Sequence, residues 1–191
     1  SEIEKLFNIG KKSLNLIKRV EFYNTYSKDK IENVSLKSLK DSVNKWLQPY
    51  LYSIKKLDDL KKINIFDVLT FIIGYEKIVL LDKLLPETIV VPSGSKIKLY
   101  YKSDEVIMKV KIQEVFGLYS TYKVLNNNIP VTIHLLNPAN RPIQITRDIK
   151  SFWDNSYEEV RKELRGKYKK HYWPLSPYEA VATNKTKKQM K

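Results

Sequence analysis

Over the first 85 residues, apolar positions recur at helical spacing. Ile3, Leu6, Phe7, Leu14, Ile17 and Val20 fall near a 3.6-residue period, with Lys and Glu on the other positions; this predicts amphipathic helix with the apolar stripe buried. Leu36, Leu39, Val43, Trp46 and Leu47 mark a second helix that Pro49 closes. Its start is open between Ser35 and a Ser38/Asp41 capping box. Leu57, Leu60, Ile63, Phe66, Leu69 and Ile73 continue the period; Asn64 is placed to cap a new helix and Gly74 to give it a left-handed exit. A further helix is expected over about Glu76–Leu85, ending at Pro86.

Beyond Pro86 the period shortens to two. Thr88–Val91, Lys96–Tyr101 and Val106–Ile112 are rich in β-branched and aromatic residues, and Lys96-Ile-Lys-Leu-Tyr100 and Met108-Lys-Val-Lys-Ile112 alternate polar with apolar, as half-buried strands do. Lys102-Ser-Asp-Glu105 is consistent with a hairpin, and Gln113–Phe116 with Gly117 reads as a short helical turn. Tyr119–Leu125 and Val131–Leu136 flank Asn126-Asn-Asn128, residues that tolerate positive φ, and so predict a second hairpin. Gln144–Thr146 is a last short strand. Helix returns from Ser156, with Glu159 completing a capping box, Tyr157, Val160 and Leu164 as the buried stripe and Gly166 as the C-terminal cap. From Pro174 the pattern is that of a docked segment and a loose basic tail ending in Lys191.

These periods predict an α+β fold: an N-terminal helical bundle, a small mostly antiparallel twisted sheet or partial barrel, then C-terminal helices and the basic tail. The expected segments are 1–86, 87–148 and 149–191, with 87–191 one folding unit.

Charge changes the picture next. Thirty-five Lys and Arg against 21 Asp and Glu leave a net charge of +14, a field that favours nucleic acid or another polyanion; a Lys-, Asn-, Ile- and Tyr-rich composition inflates part of that excess. Cysteine is absent, which removes disulfides, thiolate nucleophiles and most structural zinc sites and fits a reducing, cytoplasmic setting. The longest apolar runs fall far short of the roughly 20 residues that cross a bilayer. An opening without Met that enters a helical pattern at once is expected of a piece of a longer chain.

Catalytic chemistry is hard to build from these residues. Gly10-Lys11-Lys12-Ser13 only echoes a phosphate-binding loop, because Lys5 stands where the first glycine belongs and the segment follows a helical pattern rather than a strand. The two histidines, His134 and His171, are too far apart for a zinc signature, and no triad suggests itself. Glu158 and Glu163 stand four residues before Lys162 and Lys167, the spacing of helical salt pairs. No catalytic residue, metal site or cofactor is assigned.

The positive signal is basic and aromatic. Arg161 and Arg165 share a helical face, and Lys167, Tyr168, Lys169, Lys170, His171, Tyr172 and Trp173 follow. Cations there can neutralise phosphates while rings stack on bases; equally, the rings can pack the segment down while the lysines face solvent. The nucleic-acid-contact candidates are Arg161, Arg165, Lys167, Lys169, Lys170, His171 and Trp173, with Arg141 and Arg147 as weaker ones in Pro-rich connections.

Several blocks in fixed order carry a family resemblance: Trp46-Leu-Gln-Pro-Tyr-Leu51, Val91-Pro-Ser-Gly-Ser95, Gln113-Glu-Val-Phe-Gly117, Leu135-Leu-Asn-Pro-Ala-Asn-Arg-Pro142, Gln144-Ile-Thr-Arg-Asp148, Phe152-Trp153 and Tyr157–Gly166. Over about Lys45–Lys188 the chain resembles the C-terminal region of the HrpB family of DExH/DEAH-box ATP-dependent helicases. It departs from the family's ending at Lys167, where the pattern has Arg, and at Lys169, where it has Pro. The first change loses a bidentate fork; the second frees the backbone and adds a donor.

The resemblance implies a non-catalytic accessory region that contributes nucleic-acid binding, most naturally RNA, and regulation of a motor. ATP and Mg are then implied only for motor lobes outside this sequence. Those lobes are the second expected partner, a membrane is not one, and a protein-interaction module docking on the motor or another acidic partner is the rival reading.

Overall fold

The computed structural model describes residues 2–190, so Lys191 of the basic tail lies outside the described residues. Two compact units are present: Ser1–Leu85 with Tyr101–Asp104, and Pro86–Tyr100 with Glu105–Lys191.

In the first unit, α1 (Glu2–Leu6) and α2 (Lys11–Tyr26) divide what reads as one pattern, with Gly10 extended between them. The break rotates the stripe: Ile3, Phe7, Leu16, Ile17 and Val20 are buried, but Leu6 is exposed and Leu14 only half-buried. α3 (Leu36–Asp41) starts at Ser35, whose hydroxyl accepts from the Ser38 amide at 3.2 Å, which settles the open choice of cap. The short α4 (Val43–Trp46) follows, then 3-10 turns at Gln48–Ser53 and Leu57–Lys62. Asn64 caps α5 (Ile65–Ile73), and Gly74, at φ +83°, turns the chain into α6 (Tyr75–Leu84); a side chain at that φ would be strained. Trp46 lies edge-on to Phe7 at 5.1 Å and donates its indole N–H to the Leu39 carbonyl.

Buried in this unit is Arg19, whose guanidinium donates to the Asp82 carboxylate and the Leu85 carbonyl. Its side chain is 2% exposed and that of Asp82 62%, so water can solvate the acid but not the base. Removing the acid should therefore hurt more than replacing the base. Asp82→Ala removes an acidic partner from a buried guanidinium, a loss of about 2–3 kcal/mol once the acid's own exposure to water is discounted. Arg19→Met keeps the volume and costs about 1–2 kcal/mol through the unmet Leu85 carbonyl. Urea unfolding of both variants gives the order; a worse Arg19→Met would contradict it.

The second unit contains β1 (Thr88–Val90), β2 (Lys96–Tyr101, all but its last residue), β3 (Val106–Lys111), β4 (Lys123–Val124), β5 (Ile129–Pro130), β6 (Thr132–Leu136), β7 (Pro142–Thr146), α7 (Ile149–Asn155) and α8 (Tyr157–Lys167). The main sheet runs β1-β2-β3-β6-β7 and stays open, with β1 and β7 as its edges, while β4 and β5 form a separate ribbon. β1/β2 and β6/β7 are antiparallel and β3/β6 parallel.

That parallel pair corrects the second predicted hairpin. The Asn tract does turn the chain, with Leu125, Asn126 and Asn127 at positive φ, but the turn joins β4 to β5. Val131, Ile133 and Leu135 are completely buried, so this stretch belongs between two strands, β3 and β7. The chain between β3 and β6 is long enough for the crossover that parallel pairing requires. Leu99, Met108, Val110, Ile133 and Leu135 fill the inner side of the sheet; Lys98, Tyr100 and Lys109 alternate to the other, exposed side.

Candidate nucleic-acid interface

The basic run follows α8, so what holds α7 and α8 decides where its side chains point. Asp148 caps α7 by accepting from the Ser151 amide at 3.0 Å, and the Ile149 amide donates to the Thr121 hydroxyl. Trp153 donates its indole N–H to the Leu118 carbonyl and packs with Phe116 and Tyr157 in a cluster of edge and tilted rings 5.3–6.0 Å apart. Ser156 ends α7 and begins α8 at once, with φ −120° and ψ −20°, and makes no side-chain cap bond. The predicted capping box is absent because that backbone is not the extended one that aims a cap hydroxyl back at the helix. Gly166 does not end the helix either: α8 runs on to Lys167 and exits at Tyr168. The Tyr168 carbonyl accepts from the His171 amide and the Trp173 indole, both at 3.0 Å, so the helix end is met without a left-handed glycine.

Three further bonds hold the segment behind α8. The Tyr157 hydroxyl donates to the Pro174 carbonyl at 2.9 Å, Arg161 Nε to the Trp173 carbonyl at 3.2 Å, and Gln113 Nε2 to the Tyr172 carbonyl at 3.1 Å. Burial pushes the Tyr157 phenol above its ordinary range, so it stays a donor. Farther on, the Gly117 amide donates to the Pro177 carbonyl, Tyr119 stacks on Tyr178, and Tyr178 donates to Asp154 at 2.6 Å. Burial first and the Asp154 bond second hold the Tyr178 phenol up at about 12.

The candidates separate accordingly. Trp173 is 7% exposed and faces the protein rather than offering a stacking surface. Arg161 is half-buried and engaged with backbone. Lys167 pairs with Glu163 at 2.6 Å, which raises its pKa; Lys162 pairs with Glu158 at 2.7 Å, as the spacing predicts. Arg147 donates to the Thr132 hydroxyl and faces Glu105 at 3.9 Å. Arg141 sits exposed in a turn where Asn137 Oδ1 accepts from the Ala139 and Arg141 amides. Arg165, Lys169 and Lys170 are exposed. Arg165 and Lys169, with Lys162 and Gly166, line an open groove of about 530 Å³. His171 is half-buried, and its Nδ1 has no hydrogen-bond partner among the described residues.

The structure also brings together Lys98, Tyr100 and Lys109, none of them a predicted site residue. Both ammonium groups stand 5.8–5.9 Å from the Tyr100 ring centroid. Alternation in Lys96–Tyr101 and Met108–Ile112 was the available signal, but alternation within a strand does not say which strands are neighbours. Among the described residues no three His, Asp or Glu side chains form a group that could hold a metal, and no helix is long and apolar enough to cross a membrane.

Comparison with known proteins ties this framework to a family: the description "ATP-dependent helicase C-terminal", HrpB_C, matches residues 46–177. The chain belongs to the HrpB C-terminal family. It is 37% identical over 152 residues to the ATP-dependent RNA helicase HrpB of Escherichia coli K12, covering 79% of this chain and 19% of that protein. Crystal structures titled E. coli DExH-box NTPase HrpB and Escherichia coli DEAH/RHA helicase HrpB superpose with TM-scores of 0.83 and 0.69 at 31% and 30% identity. They cover 95% and 88% of this chain but only 23% and 22% of their own, so the chain spans about a fifth of the relatives it matches.

In this HrpB C-terminal chain the family blocks are where side chains grip backbone. Trp173→Ala should lower stability by about 3 kcal/mol or more, while Lys170→Ala leaves the melting temperature unchanged; differential scanning fluorimetry separates the two. His171 adds a pH dependence. Burial first and Lys111 second depress its pKa, so below about 6.5 the unfolded chain binds a proton that the folded chain resists. Stability is then full above that pH and falls as pH drops toward the depressed folded value. His171→Gln should flatten the fall between pH 7 and 5 in urea titrations; an unchanged pH profile would show that the group contributes nothing.

Proposed function

We propose that this chain is the accessory C-terminal region of an ATP-dependent RNA helicase, one that contacts RNA and regulates the motor without chemistry of its own. The observation that carries the reading is the division of labour around α8: Arg161 and Trp173 are consumed in holding backbone, while Arg165 and Lys170 are exposed along the helix end and the turn after it, with Lys169 beside them at the surface. A single strand tracking that edge would have its phosphates neutralised by those cations, with counterion release supplying much of the affinity. RNA is favoured over DNA by the printed name of the E. coli relative. Motor lobes of the same parent chain are the second partner, and ATP and Mg belong to them; a cytoplasmic setting follows from the same reading.

The competing role, a module whose basic face docks on the motor or another acidic protein, predicts no RNA affinity for the chain itself. Fluorescence anisotropy with a labelled single-stranded RNA across a salt series decides between them. Arg165→Ala/Lys169→Ala/Lys170→Ala should reduce the slope of log K against log salt by about 2, at ~0.7 per phosphate contact. Absence of binding by the unmodified chain at low salt would contradict the RNA reading.

A further inference from the structure

The open side of the five-stranded sheet has a composition that packing does not require. One side of the sheet is apolar and covered, whereas Lys96, Lys98 and Tyr100 on β2 and Lys109 on β3 alternate onto the other and are exposed. The Lys109↔His134↔Ile145 register continues that side across β6 and β7. Tyr100 is 47% exposed and Ile145 56%. A solvated sheet face needs only polar residues; an exposed ring between two ammonium groups, with a half-buried imidazole in the next strand but one, is more than solvation asks for. The exposed outward positions of β2 and β3 are Lys96, Lys98, Tyr100 and Lys109, with no carboxylate among them; toward the start of β3 the same side closes over, with Ile107 buried and Glu105 facing Arg147. The face is therefore cationic as well as aromatic.

Strand geometry sets the spacing. Alternate residues on one strand stand roughly 6.6 Å apart and neighbouring strands about 4.8 Å apart. A single strand laid over β2 and β3 would thus meet a ring for a base within reach of amines for the phosphates on either side. Flat π-faces accept any base, and cations track any backbone, so such a platform binds single strands with little sequence preference. Double-stranded nucleic acid could not use it, because its bases are already stacked.

We infer that the outer face of this sheet, centred on Tyr100 with Lys98 and Lys109, is a stacking platform for single-stranded RNA, separate from the cations at the end of α8. The choice of RNA rests on the function proposed above; the platform itself rests on the sheet. Lys98 and Lys109 now share the Tyr100 ring. An incoming base takes the ring, and the two amines move to phosphates.

The test is anisotropy with fluorescein-labelled U12 RNA at 50 mM salt on the 191-residue chain. Tyr100→Ala should weaken binding about tenfold, while Tyr100→Phe, which keeps the ring and loses only the hydroxyl, stays within about twofold. Lys98→Gln/Lys109→Gln should lower the salt slope by about 1.4, and a duplex of the same length should not respond to Tyr100→Ala. Irradiating the unmodified chain with a 4-thiouridine strand provides a readout that needs no variant, with adducts expected on Tyr100 or elsewhere in 96–111. Equal affinity of Tyr100→Ala and the unmodified chain, equal loss in Tyr100→Ala and Tyr100→Phe, or adducts confined to 162–173 would each overturn the platform while leaving RNA binding at α8 in place. A chain that binds neither U12 nor a dT12 control would overturn both readings, and one that binds dT12 but not U12 would overturn the assignment to RNA.

Discussion

Backbone carbonyls beyond α8 are satisfied by side chains, not by regular structure, and the second unit's architecture depends on that. Residues 172–174 form no helix or strand, so their buried carbonyls need donors. Gln113, Arg161 and Tyr157 supply one each, to three successive residues, and the Trp173 indole meets the carbonyl at the helix end. Leaving such a group unmet costs about 1–3 kcal/mol, so the donors cannot be spared for another task. An arginine and a tryptophan that look like nucleic-acid contacts in the sequence are thereby committed to structure.

The same principle explains the ordered blocks that mark the family. Asn137 folds the connection between β6 and β7 by accepting two amides, with Asn140 at φ +61°. Thr146 and Asp148 close on each other and cap α7. In Val91–Ser95 the turn is closed by the Gly94 amide on the Val91 carbonyl, and Ser93 reaches Glu114. In each of these three connections the polar groups of irregular backbone are met by a particular side chain at a particular offset. Arg165 and Lys170 stand exposed outside these connections, where a polyanion can reach them.

Element types were legible because period is a local property. Helices around Ile17, Leu69 and Leu164 and strands around Leu99 and Val110 stand where the apolar spacing puts them, and Asn64 and Gly74 act as their chemistry suggests. What failed was whatever depends on distant residues. Pairing of β6 with β3 is set by burial of Ile133 and Leu135 from both sides, which a turn signal at Asn126–Asn128 cannot report. Gly166 and Ser156 were misread because tertiary hydrogen bonds and helix continuity replaced the local caps. At the candidate interface, the lysine positions were visible but their division into paired, structural and exposed was not. The cluster at Tyr100 was invisible, since cross-strand register is a property of the sheet.

The central claim is that framework and contact surface are different residues. A two-dimensional amide and indole NMR spectrum of the chain, titrated with a short single-stranded RNA, tests it in one experiment. The account predicts shifts concentrated at 96–111 and 165–170, with the indole resonances of Trp153 and Trp173 unmoved. A large, saturable shift of the Trp173 indole with silence at the lysines would contradict it.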